Sequence, residues 1–309
     1  MRIKVIGVLT AAILATGSVG TAAAAATVPV STTAASISIA VPATAVTTTT
    51  VATVAAPPAI TAKRAYVVDV TTGKALMGKS STTRVQVASV TKLMTAYVVL
   101  KRAKLNDVVT VSKADIQWAA SHGATGGGFR AGERLFVRDL LYALMLPSAA
   151  DAANALAVKY GPGKAKFVAR MNAAAKSLGL KDTRYANADG LTSTKSYSTA
   201  RDQAKLAQIV LKTPTLSTIV KAKKYTTPAT KIHRKHTWTN TNKLLSEGAV
   251  GLKTGYTAKA GYCLAFAQVK SGHLIVGTVL GDKSDAARFT SARKLLKWAG
   301  AQVAAAAKA

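Results

Sequence analysis

Along residues 65–79, AYVVDVTTGKALMGK, apolar and polar positions alternate on either side of Thr71, Thr72 and Gly73. A period of two buries one face of each run, so the stretch predicts a β-hairpin turning at that triplet. A helix is predicted to begin at Ser89 in VASVTKLMTAYVVL, residues 87–100. In the middle of the chain the period lengthens: VRDLLYALM (137–145), DAANALAVKY (151–160), KAKFVARMNAAAKSLG (164–179) and ARDQAKLAQIVLK (200–212) space their apolar residues by three and four. Each draws one stripe on a helix. Strand patterning returns in GLKTGYT (251–257), GYCLAFAQV (261–269) and LIVGTVLGD (274–282), with KSGH as the turn between the last two. The amphipathic helix DAARFTSARKLLKWAGAQ (285–302) closes the pattern.

Strands at both ends with helices between them require distant segments to share one sheet, and the helices to form an inserted lobe. The expected class is α/β (α+β), with a mostly antiparallel sheet. No internal repeat is evident.

Before Lys63 the pattern differs. MRIKVIGVLTAAILATG has a basic start and an apolar core, and the small residues of TAAAAAT follow. This is the pattern of a secretory signal over 1–26, with a retained membrane anchor as the alternative, since no charge occurs between Lys4 and Lys63. Residues 27–62 are almost wholly Ala, Thr, Val, Ser, Pro and Ile. They read as an extended spacer, bare or carrying sugars on its threonines. Folding is therefore assigned to residues 63–300, with 301–309 as a short tail.

Of 309 residues, 49% are hydrophobic, enough for a sizeable core. The formal charge is +30, and loss of Arg2 and Lys4 with the signal leaves +28. On an exported chain that excess points to anionic cell-wall polymers or acidic lipid head groups and away from nucleic acid. Cys263 is the single cysteine. No intramolecular disulfide can form, and within a strand-like run the thiol reads as a small core residue. HRKH, at His233 to His236, lacks the glutamate of a zinc-protease helix, so no metal and no cofactor is expected.

The candidate chemistry begins with Ser89 and Lys92. Three residues apart on a helix, their side chains share one face and can meet. A serine at a helix start is also an ordinary N-cap, so the pair alone decides nothing. There is no G-x-S-x-G elbow and no histidine in a triad context, which leaves lysine as the base. Its ammonium must be held neutral part of the time, by burial or by a nearby cation, and Lys253 is the candidate cation. Lys253, Thr254 and Gly255 begin a strand-like run. The first two could engage a carboxylate, and Gly255 could admit a substrate backbone closely. Ser148, in LMLPSAADAANAL, falls on an interhelical turn from which its hydroxyl could pass a proton.

The order S-x-x-K, a mid-chain serine motif and K-T-G resembles the penicillin-binding serine acyltransferases. More narrowly, VVDVTTGKALMGK, ASVTKLMTAY, DLLYALMLPSAADAANALA, STARDQAKLA, NTNKLL and GLKTGYTAKAGYCL are similar to the low-molecular-weight D-alanyl-D-alanine carboxypeptidases, from about Ala65 to Trp298. The resemblance implies a β-lactamase/DD-peptidase-like fold. It implies that Ser89 attacks the carbonyl between two D-alanines of a peptidoglycan stem peptide while Lys92 takes its proton. Backbone N–H groups of Ser89 and Tyr256 would form the oxyanion hole, Ser148 would relay a proton, and Lys253 with Thr254 would hold the terminal carboxylate. β-Lactams would acylate the same serine and stall there.

One departure stands out: Ala150 occupies the place where the family's S-x-N motif carries asparagine. Losing such a hydrogen-bonding group costs on the order of 1–3 kcal/mol, or about ten- to a hundredfold in rate. Asn154, one turn further on, is the candidate replacement, although a helix would turn it elsewhere. Glu133 and Glu247 fall in no segment like the deacylating loop of a class A β-lactamase, so that enzyme is disfavoured. A cell-wall transpeptidase using the same residues, and a basic wall-binding protein with an impaired cleft, remain as alternatives. The glycine-rich GATGGGFRAGE (123–133) reads as a flexible loop beside the cleft. Arg201 and Asp202 suggest a cap with a local ion pair, and Trp238 and Trp298 suggest packing.

Overall fold

The computed structural model describes residues 55–307. The expected signal and most of the expected spacer lie outside them. In chain order the elements are β1 (Arg64–Asp69), β2 (Ala75–Lys79), a 3-10 turn (Ala88–Thr91) leading into α1 (Lys92–Leu100), β3 (Val108–Thr110), α2 (Lys113–Ser121), β4 (Arg134–Phe136), α3 (Val137–Met145), α4 (Ala150–Tyr160), α5 (Lys164–Ser177), α6 (Ala200–Lys212), α7 (Pro214–Lys221), β5 (Lys224–Thr227), β6 (His236–Thr239), a second 3-10 turn (Lys243–Glu247), β7 (Leu252–Thr257), β8 (Gly261–Lys270), β9 (His273–Asp282) and α8 (Asp285–Ala306).

β2, β1, β9, β8 and β7 form one antiparallel sheet in that order, so the two ends of the chain do share it. Both hairpins fall where the alternation placed them. Asp69 closes the first by accepting from Thr71 N at 3.0 Å and Thr72 Oγ1 at 2.6 Å. Ser271 and Gly272, both at positive φ, form the two-residue turn between β8 and β9, a geometry that matches the twist of antiparallel strands.

Period-two alternation divides β8 between two cores. Leu264 and Phe266 face α8, where Phe289, Leu295, Ala299 and Val303 cover them; Cys263, Ala265 and Ala267 face the helical lobe. Because both faces are covered, the strand is apolar almost throughout. Gly277 stands opposite Phe266, and a Cβ there would lie 2.4 Å from the ring. On the other side, α1 is the central helix of the lobe, packed by α3, α4, α5 and α6.

The structure revises several expectations. Residues 55–62 do not hang free: Ala62 is fully buried, Thr61 Oγ1 donates to Asp282 at 2.7 Å, and Trp298 Nε1 donates to Ala55 O at 2.8 Å. The last stretch of the expected spacer therefore belongs to the folded body. At the other end α8 continues through Ala306 and buries Val303, so most of the expected tail is helix. α2 was not anticipated because only Asp115 and Ala119 are buried on it, too few to draw a stripe. Its N-terminus carries a capping box, Ser112 with Asp115. The short pairs β3–β4 and β5–β6 also escaped the pattern, as did α7. Among the described residues, no helix is long and apolar enough to cross a membrane.

Candidate active site

Ser89 lies on the 3-10 turn that runs into α1, and Lys92 is the first residue of that helix. Lys92 Nζ donates to Ser89 Oγ at 3.0 Å and to Asp189 O at 2.6 Å. The turn is tightly clamped. Ala88 has a φ of 49°. A Cβ on Gly190 would fall 2.0 Å from Ala88 O, and one on Gly255 would fall 2.9 Å from Ser89 N. Glycine is thus required at 255 by the protein's own backbone, which passes over the nucleophile turn, a closer constraint than the substrate approach expected of it.

Lys92 is 1% exposed. Burial disfavours its ammonium form and lowers its pKa to about 8, against a partial upward pull from Asp189 and Asp151. Lys253 is equally buried, with Nζ donating to Thr254 O at 3.1 Å. Its pKa lies well below the usual lysine value, through burial first and then the nearby positive charges of Lys92 and Arg288. Burial is the main cause for both amines, and the repulsion between Lys92 and Lys253 adds to it.

The cleft above Ser89 has a volume of about 490 Å³. Ser148, Thr254, Gly255, Tyr256 and Arg288 line it beside Ser89 and Lys92. Ser148, between α3 and α4, has a φ of 76°, and its buried Oγ has no hydrogen-bond partner. Thr254 Oγ1 shares a hydrogen bond of 2.5 Å with Thr241 Oγ1, which also borders the cleft. Arg288 reaches in from α8, with Nη1 donating to Gly255 O at 2.9 Å and Nη2 paired with Asp285. A paired serine and lysine, an uncommitted hydroxyl and a guanidinium form a set suited to acyl transfer from a substrate bearing a carboxylate.

A sequence profile of the D-alanyl-D-alanine carboxypeptidases matches residues 50–284. The chain belongs to this family. The D-alanyl-D-alanine carboxypeptidase of Streptomyces sp. strain K15 is 40% identical over 263 residues, which are 81% of this chain and 90% of that protein. DacF of Bacillus subtilis is 33% identical over 253 residues, covering 78% of this chain but 62% of the longer relative. The crystal structure of the Streptomyces K15 DD-transpeptidase superposes with a TM-score of 0.76 at 40% identity, over 79% of this chain and 98% of that one. The β-lactamase/DD-peptidase-like fold expected from the family's motifs is thereby established.

Within this carboxypeptidase framework the structure gathers Ser89, Lys92, Ser148, Thr254, Gly255 and Tyr256 around one cleft. Lys253 is different: it is buried and does not line the cleft, but it stands near the charges of Lys92 and Arg288, both of which do. Arg288 was missed because it lies 33 residues beyond Gly255, within an otherwise ordinary amphipathic helix. Thr241 was visible only as part of the NTNKLL resemblance. Ala150 is buried beneath the Ser148 loop, its N–H donating to Thr125 O at 2.8 Å. Asn154 does not take over, since it lines a different cavity.

Neither Glu133 nor Glu247 lines the cleft. Glu133 engages Arg234, and Glu247 forms a two-pronged pair with Arg293. The glycine-rich loop does border the cleft through Gly123 and Thr125, but it is pinned: Asp151 accepts from Gly127 N at 2.9 Å, and Trp238 Nε1 donates to Gly127 O at 2.8 Å. Asp202 accepts from Asp182 N and Thr183 Oγ1, and the pair expected with Arg201 does not form. Cys263 is a buried core thiol whose pKa burial raises to about 11.

Proposed function

We propose that this chain is an exported, penicillin-binding serine carboxypeptidase that removes the terminal D-alanine from peptidoglycan stem peptides. The observation that carries this reading is the 3.0 Å contact from the buried Lys92 amine to Ser89 Oγ at the floor of an open cleft. Neutral Lys92 accepts the hydroxyl proton as Ser89 Oγ bonds to the penultimate D-alanine carbonyl carbon. N–H groups of Ser89 and Tyr256 stabilise the oxyanion. The C–N bond then breaks, and the departing D-alanine nitrogen receives a proton by way of Ser148. Thr254 and Arg288 hold its carboxylate. Water completes the cycle by attacking the acyl-enzyme and giving a proton back through Lys92.

Intact-protein mass spectrometry after incubation with penicillin, followed by assay of D-alanine release from a D-Ala-D-Ala peptide, tests the reading. One covalent adduct, absent from Ser89→Ala, together with D-alanine release is expected. No adduct on the wild type would overturn it and favour a wall-binding protein.

Transfer to an amine is the second reading. The structural relative from Streptomyces K15 is named a DD-transpeptidase, and no carboxylate is among the residues lining this cleft to activate water. Adding glycylglycine to the assay separates the two outcomes by the ratio of transfer product to hydrolysis product.

Export rests on the N-terminal pattern, and N-terminal sequencing of the secreted protein should begin near residue 27. Attraction to anionic wall polymers rests on the charge of +30. Retention of Ser89→Ala on isolated walls should fall as salt is raised, and salt-insensitive retention would refute that attraction.

A further inference from the structure

A second cavity of about 470 Å³ adjoins the reaction cleft without sharing a lining residue with it. Segment 186–195 borders both: Leu191 and Thr192 face the cleft, whereas Asn187 and Lys195 face the second cavity. The C-terminal end of α2 does the same, with Trp118 on one side and the C-cap residue His122, its ring tilted against Trp118 at 4.1 Å, on the other.

The lining of this cavity has one sign of charge. Lys164, Arg184 and Lys195 surround it, no acidic side chain lines it, and none of the three cations forms a salt bridge among the described residues. Asn154 supplies an independent observation: it is 3% exposed, lines the cavity, and its amide nitrogen has no hydrogen-bond partner. The other polar groups are already committed. Asn172 exchanges two bonds with the Tyr185 backbone, at 2.9 and 2.8 Å, and Asn187 bridges Gly190 N and Leu191 O. Trp118 Nε1 donates to Asp189 Oδ2 at 2.7 Å, while Lys164 Nζ stands 4.2 Å over its ring. Ala165, Val168 and Ala188 complete an apolar wall.

An occupant must bring several negative oxygens, an acceptor for a buried amide, and small aliphatic groups. The volume lies in the range of small-ligand pockets and far exceeds what one simple anion fills. We propose that this cavity is a second binding site for a short acidic peptide with at least two carboxylates, held beside the reaction cleft while Ser89 is occupied. The choice of a peptide rests on the reading of the neighbouring cleft as a peptidase.

Calorimetric titration with N-acetyl-Glu-Glu, on wild type acylated by penicillin and on unacylated Ser89→Ala, tests the proposal. Saturable one-to-one binding is expected in both. Arg184→Ala with Lys195→Ala, and separately Asn154→Leu, should each weaken it at least tenfold, with melting temperature and penicillin acylation rate unchanged. Removing two exposed cations elsewhere, Lys212→Ala with Lys221→Ala, should leave it intact. Loss of binding on acylation, equal weakening by the distant pair, or inorganic phosphate binding as tightly as the peptide would each overturn the second site. Failure of penicillin to acylate would instead defeat the peptidase reading, and the Ser89→Ala titration would still report on the cavity.

Discussion

Raising the pH should activate Ser89 through Lys92, because only the neutral amine can take the hydroxyl proton. With a pKa of about 8 in the folded protein, the neutral fraction is about 1% at pH 6, about 10% at pH 7 and about 50% at pH 8. The second-order rate constant for acylation by a fluorescent penicillin should therefore climb about tenfold from pH 6 to 7, then flatten above 8. The same burial weakens the fold. The drop from 10.5 to about 8 corresponds to about 3 kcal/mol, which the protein forgoes below pH 8, where Lys92 is charged both folded and unfolded. Between pH 8 and 10.5 the unfolded chain binds this proton more tightly, so the Lys92 contribution to stability rises with pH across that window. Lys92→Met should abolish acylation and raise stability at pH 7, with its advantage over wild type shrinking toward pH 10. Chemical denaturation of both proteins at several pH values measures this. A flat acylation profile from pH 6 to 9, or a midpoint near 10.5, would refute the argument.

Other substitutions read the clamp, the cleft and the sheet. Gly190→Ala places a Cβ 2.0 Å from Ala88 O at a φ of 82°, so it should cost about 1–3 kcal/mol by denaturant titration and slow acylation further by shifting Ser89. Arg288→Gln should lower kcat/KM for a D-Ala-D-Ala peptide about ten- to a hundredfold, with a smaller loss for the same peptide ending in an amide. Gly277→Ala drives a methyl into the Phe266 ring and should lower the melting temperature by several degrees, while kcat of the folded fraction stays within about twofold.

Much of the site was legible because it is local. Ser89 and Lys92 are three residues apart on one helical turn, and no distant segment is needed to make them neighbours. Strongly periodic elements were legible for the same reason: α3 and α6 carry clear apolar stripes, and the β8–β9 hairpin announces both its strands and its turn. Elements stabilised mainly by their partners were not. β3 and β4 have three residues each, and α2 is capped by Ser112 and Asp115 but offers almost no apolar face.

The sequence by itself determined the order of the chemical groups, the excess of positive charge and the helices and strands whose periods repeat, because each is a property of neighbouring residues. Only the tertiary structure decided what those groups do. Packing by the loop of Asp189 buries Lys92 and so sets its basicity; β7 buries Lys253 near Lys92, and α8 delivers Arg288 to the cleft. Burial and through-space charge depend on segments from tens to more than a hundred residues apart along the chain, and local spacing carries no record of them.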